Sequence, residues 1–183
     1  EAVTETLGAP SVLLNAAGGN DPDATVTPEM PFENIPLPAW AKVFDLNLVG
    51  GLLLPCQEFG PAMCKRGKGS IINIASVTSH LPLSKVIAYS ASKGGIYGMT
   101  LPMARDLARE GVRVNTILPG FFETPIYEQM PPEVKTNLAA NLQFPQRFGA
   151  PAEYADLVAF MVSNDYINAE CVRLDAGARM PPK

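Results

Sequence analysis

Four short, almost unbroken apolar runs limit what this chain can fold into: Ser11–Asn15 (SVLLN), Ser70–Ser76 (SIINIAS), Val112–Leu118 (VRVNTIL) and Cys171–Asp175 (CVRLD). A strand with one face in water alternates apolar and polar residues. Runs without that alternation have both faces covered, the condition of a parallel sheet between helices. Helical periodicity fills the stretches between them. From Pro38 to about Cys64 the apolar positions Trp40, Val43, Phe44 and Leu48 recur at helical spacing, with Pro38 suited to a first turn. A second long helix is expected over Ala88–Glu110, with Gly111 just beyond its end. Pro102 should free the carbonyl of Gly98 and bend that helix locally. A third helix fits Pro151–Ser163, where Tyr154, Leu157, Val158 and Met161 form one stripe. The order strand, loop, helix, strand, helix, strand, loop, helix, strand predicts an α/β fold with right-handed crossovers. The 18 prolines gather in 22–38 and 119–151, which read as long loops. No repeat or low-complexity linker divides the chain, so 1–183 reads as one domain.

Composition removes several function classes. A net charge of −4 with scattered basic residues gives no footprint for nucleic acid. No apolar run in the sequence approaches bilayer length, so no membrane partner is expected. His80 is the single histidine, which excludes a multi-histidine metal site; no metal is expected. Cys56, Cys64 and Cys171 form no CxxC pair and read as reduced, which fits an intracellular protein of the cytoplasm or mitochondrial matrix.

Chemistry concentrates at the start of the second long helix. Tyr89 and Lys93 are four residues apart and project from one helix face. A phenol titrates near pH 10, too high to exchange protons at neutrality, and a neighbouring ammonium stabilises the phenolate and lowers that value. Interconversion of an alcohol and a carbonyl needs such a tuned acid/base group. Ser76 ends the preceding strand thirteen residues before Tyr89, where its hydroxyl could position a substrate oxygen. Tyr and Lys at this spacing are commonly an ordinary exposed pair. The serine at a strand end, followed by loop and helix, is what favours the chemical reading.

These residues resemble the active-site segment of the short-chain dehydrogenases/reductases: Ser76, Tyr89–Ser90–Ala91–Ser92–Lys93 and the flanking Ile71–Ile72–Asn73–Ile74–Ala75. Asn15–Ala16–Ala17–Gly18 matches the family's Asn-x-Ala-Gly turn, and Asn47 within Asp45–Gly50 matches its helix asparagine. Pro119–Gly120 followed by Thr124 resembles the segment that contacts the nicotinamide. The resemblance implies the second half, strands 4–7, of a Rossmann-like doubly wound sheet. It also implies a catalytic tetrad of Asn47, Ser76, Tyr89 and Lys93. Cofactor contacts would come from Asn15, Ala16, Ala17, Gly18, Tyr89, Lys93, Pro119, Gly120 and Thr124, the cofactor being NAD or NADP with NAD favoured. The partner would be a small alcohol or ketone. The helices around 38–64 and 88–110 would build a homodimer or homotetramer, aided by the smooth surface at Gly94, Gly95 and Gly98.

Other readings stay open residue by residue. Asn47 would also stabilise a distortion in its helix, Asn15 and Gly18 would also suit a bare tight turn, and Thr124 before Pro125 would also cap a short helix. His80 reads as a surface residue, and Cys56 and Cys64 as small packing residues. The family's glycine-rich TGxxxGxG loop has no counterpart here. Gly67–Lys68–Gly69–Ser70 lacks the earlier glycine, where Ala62 stands, and precedes a strand instead of opening a helix. The expectation is therefore an N-terminally incomplete domain, Ser11–Asn15 an exposed apolar edge, and weak cofactor binding by the chain alone. A truncated, non-catalytic scaffold subunit is the competing reading. Within the family, the segments from Gly94 through Leu107, Phe144–Arg147 and Val172–Asp175 resemble type-2 3-hydroxyacyl-CoA dehydrogenases. Asn15 through Ile74 resembles sugar-acid oxidoreductases of the mannonate/fructuronate type.

Overall fold

The computed structural model describes residues 2–179 apart from Pro82 and Gln129. Its centre is a four-stranded, wholly parallel sheet in the order β1-β2-β3-β4, built from β1 (Val12–Asn15), β2 (Gly69–Ile74), β3 (Val112–Pro119) and β4 (Cys171–Leu174). The four apolar runs become these four strands. Successive side chains leave opposite faces of a strand, and Ile71 and Ile72 show the consequence. Ile71 packs with Met63, Ala104 and Val114 on one face, and Ile72 with Ile117 and Met161 on the other. The first face is covered by α3 (Leu54–Arg66) and α4 (Ile87–Ala108). The second is covered by α7 (Pro151–Ser163), whose Tyr154, Leu157, Val158 and Met161 form the expected stripe. Ile71 and Ile72 are each fully buried, a contribution of about 1.5–3 kcal/mol apiece.

The long first helix differs from expectation in the middle. α2 (Leu37–Phe44) passes into a π-helical segment, Asp45–Leu53, before α3 resumes the ordinary pitch. Two local causes are present. The Asn47 side chain donates to the carbonyl of Val43 at 3.0 Å, intruding on the backbone ladder. Gly51 lies so close to the Ala17 carbonyl that a Cβ there would stand 2.5 Å from its oxygen. As one helix of 30 residues, Leu37–Arg66 is long and apolar enough to cross a membrane by length and composition. That corrects the reading of the sequence by runs alone. In the fold it packs on β1, β2 and α4 as a sheet-covering helix.

The proline-rich stretches are not plain loops. Region 22–38 contains 3-10 turns at Pro22–Ala24 and Phe32–Asn34. Region 119–151 contains α5 (Pro125–Glu128) and α6 (Pro132–Ala139). Pro125 and Pro132 open these helices, where a missing N–H costs nothing. The N-terminal α1 (Ala2–Leu7) is a further element that the sequence pattern does not announce. α4 continues through Pro102 without a break, and Gly98 is exposed, so water can satisfy the carbonyl that proline leaves free. Gly111 adopts φ +69° as expected, beside the carbonyl of Gly67. Along the free edge of β1, Val12 and Leu14 are 37% and 42% exposed, the apolar edge expected of Ser11–Asn15.

Candidate active site

The C-terminal ends of the parallel strands open into a cleft of roughly 580 Å³, the usual position of a ligand site in such sheets. Ser76, Thr78, Tyr89, Tyr127 and Tyr154 line it, together with Ala16, Gly18, Pro119, Gly120 and Thr124. Strand β2 ends at Ile74, so Ser76 stands two residues beyond it, as the cap of a 3-10 turn, Val77–Ser79. Its Oγ accepts the Thr78 N–H at 3.2 Å. That leaves the serine's own proton free to be donated elsewhere. Tyr89 lies in the first turn of α4 and Lys93 one turn later, 4% exposed.

The electrostatics differ from the simple expectation at Tyr89. Burial raises its phenol above the ordinary range, and the nearby Ser76 side chain offsets only part of this. The Lys93 ammonium stands 5.9 Å from the Tyr89 ring centroid and donates to the Ile74 carbonyl at 2.7 Å. Among the described residues it has no carboxylate partner. Burial without a counter-charge lowers Lys93 to about 8. The lysine has thus surrendered hydration, while two of its three N–H donors remain available.

This sets an expected pH dependence. A lysine at about 8 in the fold and 10.5 when exposed holds its proton less tightly in the native state. Folding is penalised below pH 8, and the penalty fades as pH rises from 8 toward 10.5. The raised Tyr89 acts in the opposite sense above pH 10. Urea unfolding should therefore show stability rising by about 2 kcal/mol between about pH 7.5 and about pH 9.5. Lys93→Met should flatten that rise; an equal slope in both proteins would place Lys93 in water.

Asn47 is fully buried and its amide is spent on backbone. Its Oδ1 accepts the Gly19 N–H at 2.9 Å, and its Nδ2 donates to the carbonyls of Gly19 (2.8 Å) and Val43 (3.0 Å) and to Ser92 Oγ (3.1 Å). The side chain therefore clasps the turn after β1 to the π segment. Gly18 sits where this clasp meets the lysine: a Cβ would stand 2.5 Å from Asn47 Oδ1 and 3.0 Å from Lys93 Nζ. The Asn15 side chain is engaged within the sheet. Its Nδ2 donates to Asn73 Oδ1 at 2.9 Å and to Cys56 Sγ at 3.3 Å, tying β1 to β2 and α3. Neither Asn15 nor Ala17 lines the cleft, whereas Ala16 and Gly18 do. Thr124 both lines the cleft and immediately precedes α5. His80 is exposed, and Cys56 and Cys64 pack against the core beside α3 and β2, as expected.

Sequence reasoning missed three cleft residues. Thr78 is 5% exposed, yet its Oγ1 has no hydrogen-bond partner; the same holds for the buried hydroxyl of Tyr154. Such orphans cost about 1–3 kcal/mol each unless a ligand pairs them. Tyr127 is held edge-on by Phe121 and Phe148 and lies near enough to Tyr89 for the two phenols to affect each other's ionisation. Only the neighbouring Ser76 and Thr124 hinted at these positions. The spare Lys93 donors and the open mouth beside Gly18 and Gly19 fit the ribose and nicotinamide of a dinucleotide.

A family model described as Enoyl-(Acyl carrier protein) reductase matches residues 1–179. The human 3-hydroxyacyl-CoA dehydrogenase type-2 is 47% identical over 146 residues, covering 77% of this chain and 56% of that protein. The rat (3R)-3-hydroxyacyl-CoA dehydrogenase is 34% identical over 93% of this chain and 64% of its own length. The chain thus spans somewhat more than half the length of these curated relatives. A crystal structure of 3-hydroxyacyl-CoA dehydrogenase type-2 from Mycobacterium avium superposes with a TM-score of 0.87 at 34% identity, covering all of this chain and 73% of that one. A gluconate 5-dehydrogenase from Burkholderia cenocepacia, in complex with NADP and tartrate, gives 0.84 at 27% identity over 96% of this chain and 67% of that one. Both neighbourhoods legible in the sequence, hydroxyacyl-CoA and sugar dehydrogenases, are therefore among its relatives. With the family model running from the first residue to Arg179 and the same fold shared with solved members, this chain belongs to the short-chain dehydrogenase/reductase family of oxidoreductases.

Proposed function

We propose that the chain carries the catalytic residues of a nicotinamide-dependent oxidoreductase that interconverts a secondary alcohol and a ketone. The observation that carries this reading is the convergence of Ser76 and Tyr89 on one cleft beside a buried Lys93 without a counter-charge. Bound NAD or NADP supplies or accepts the hydride. Tyr89 gives a proton to the substrate oxygen on reduction and takes it back on oxidation. Its pKa, raised by burial, favours the neutral phenol that reduction needs. The Ser76 hydroxyl, its oxygen already anchored by Thr78 N–H, donates to the same substrate oxygen and fixes its position. Lys93 has two donors left for the ribose, and its charge steadies the phenolate left after proton transfer. Asn47 acts as a positioning residue, holding the Gly18–Gly19 turn against α4.

The cleft also favours one substrate class. Among the described residues, none of the side chains lining it is charged, and Ile74, Val77, Leu83, Val86, Phe121 and Phe122 give it apolar walls. A sugar acid needs a cation for its carboxylate; an acyl chain needs apolar surface. We therefore favour a 3-oxoacyl or 3-hydroxyacyl substrate. The test is NADH and NADPH consumption by the intact protein with a 3-oxoacyl thioester and with a keto-hexonate. Turnover of the thioester at least tenfold faster in kcat/KM is expected; a preference for the hexonate would overturn the assignment.

The proposed assembly follows from the outer face of the two long helices. Leu46, Val49, Leu53 and Leu54 on the π segment and α3, and Tyr97 and Leu101 on α4, are 40–54% exposed, an apolar surface suited to pairing with a second copy.

A further inference from the structure

Beside Ser76 and Tyr89 the cleft holds a phenol that the chemistry above leaves idle. Tyr127 stands on α5, is half-buried and lines the same cleft. Its ring is held edge-on by two neighbours, Phe121 with centroids 6.2 Å apart at 82° and Phe148 with centroids 5.4 Å apart at 79°. Phe148 is 3% exposed, so this mount is anchored in the core. A ring fixed in this way has little freedom left to lose when its hydroxyl takes a partner. Burial first, and then the charge of an ionised Tyr89, raises the Tyr127 phenol above the ordinary range. The two phenols thus act on each other across the cleft that both line, and Tyr127 is a neutral donor at neutral pH.

The other polar groups of the cleft are committed. Ser76 and Tyr89 serve the oxygen that is reduced. Thr78 and Tyr154 keep their hydroxyl oxygens enclosed in the wall, whereas Tyr127 is not among the residues with an enclosed, unpaired hydroxyl. The Asn20 amide donates to Thr25 Oγ1 at 2.8 Å, and Thr124 belongs to the segment expected to meet the nicotinamide. A second oxygen on the substrate would leave water for walls made of Val77, Leu83, Val86 and Phe121, which is unfavourable unless a donor replaces the lost water.

We propose that Tyr127 is a specificity-determining residue whose hydroxyl donates a hydrogen bond to the thioester carbonyl of a 3-oxoacyl substrate, two carbons from the carbon that is reduced; this rests on the 3-oxoacyl reading of the cleft.

The experiment has two arms, both with the intact protein. In the first, wild type and Tyr127→Phe, which keeps the ring and its edge contacts, are compared on a 3-oxoacyl thioester and a plain methyl ketone of similar length. The ratio of kcat/KM for the thioester to that for the plain ketone should fall about tenfold, through KM more than kcat. The second arm follows, by ultraviolet titration, the phenolate band that Tyr127→Phe deletes. In Tyr89→Phe that band should move to lower pH, because a neighbouring negative charge is gone. If Tyr127→Phe does not fold, Tyr127→Leu also lacks the hydroxyl and serves both arms. An unchanged ratio, or a band that stays where it was, overturns the inference alone. So does a loss of kcat on both ketones with KM unmoved, which would assign Tyr127 to the proton step. Wild-type protein that does not reduce the thioester overturns it together with the 3-oxoacyl reading.

Discussion

Replacing Tyr89 by phenylalanine should lower kcat/KM of the intact protein about 10³-fold, within the range for loss of a general acid. The ring stays, so its packing with Ala24, Ala39, Val43 and Ala88 is kept. The only atom removed is a phenol oxygen that burial already disfavours as an anion. Stability should therefore change little or rise slightly, and the urea midpoint checks this. Loss of activity with unaltered stability separates a chemical role from a structural one. A variant retaining more than a tenth of wild-type turnover would mean another group delivers the proton, and Tyr127 and Tyr154 are further phenols lining the cleft.

The second large effect lies at Asn47, and there the expected loss is in folding. Asn47→Ala removes the carboxamide that links Gly19, Val43 and Ser92 and leaves the half-buried N–H and C=O of Gly19 without their side-chain partner. Each orphaned backbone group costs about 1–3 kcal/mol, and the vacated volume adds to this. A loss of about 4 kcal/mol is expected in urea unfolding. Asn47→Asp keeps the shape and the Gly19 N–H bond but turns the donors into acceptors facing carbonyls, so it should fare no better. Full stability in both variants would show that the turn after β1 is held by something other than this clasp.

The strands and covering helices were legible because burial on both faces leaves a simple record: in a chain this size, a short apolar run bounded by turn residues is best satisfied as a buried strand. The stripe on α7 was equally plain, since Tyr154, Leu157, Val158 and Met161 repeat at the helical period. The π segment was not. Asn47 hints at a distortion there, but the order of residues 45–53 does not say that the helix opens into π turns. That depends on the Ala17 carbonyl arriving opposite Gly51. The proline-rich regions misled for a related reason, because proline both ends helices and begins them. In the site, Ser76, Tyr89 and Lys93 were readable because the proposed chemistry demands those residue types. The motif around Asn15 points to the cofactor although its amide serves the sheet, since a motif names a residue but not the direction of its side chain. The unpaired hydroxyls of Thr78 and Tyr154 gave no signal of their own: an orphaned hydroxyl is a fact about neighbours, and it exists only once the chain is folded.

In the proposed reaction this cleft moves a hydride between a nicotinamide and a carbinol carbon while Tyr89 handles the proton. Single-turnover reduction of a 3-oxoacyl thioester with nicotinamide cofactor deuterated at the transferring carbon tests it most directly. The expected result is deuterium on the new carbinol carbon in wild-type product and its near-absence, on the same timescale, in Tyr89→Phe. Product that forms without the label, or a phenylalanine variant that transfers it at the wild-type rate, would contradict the claim.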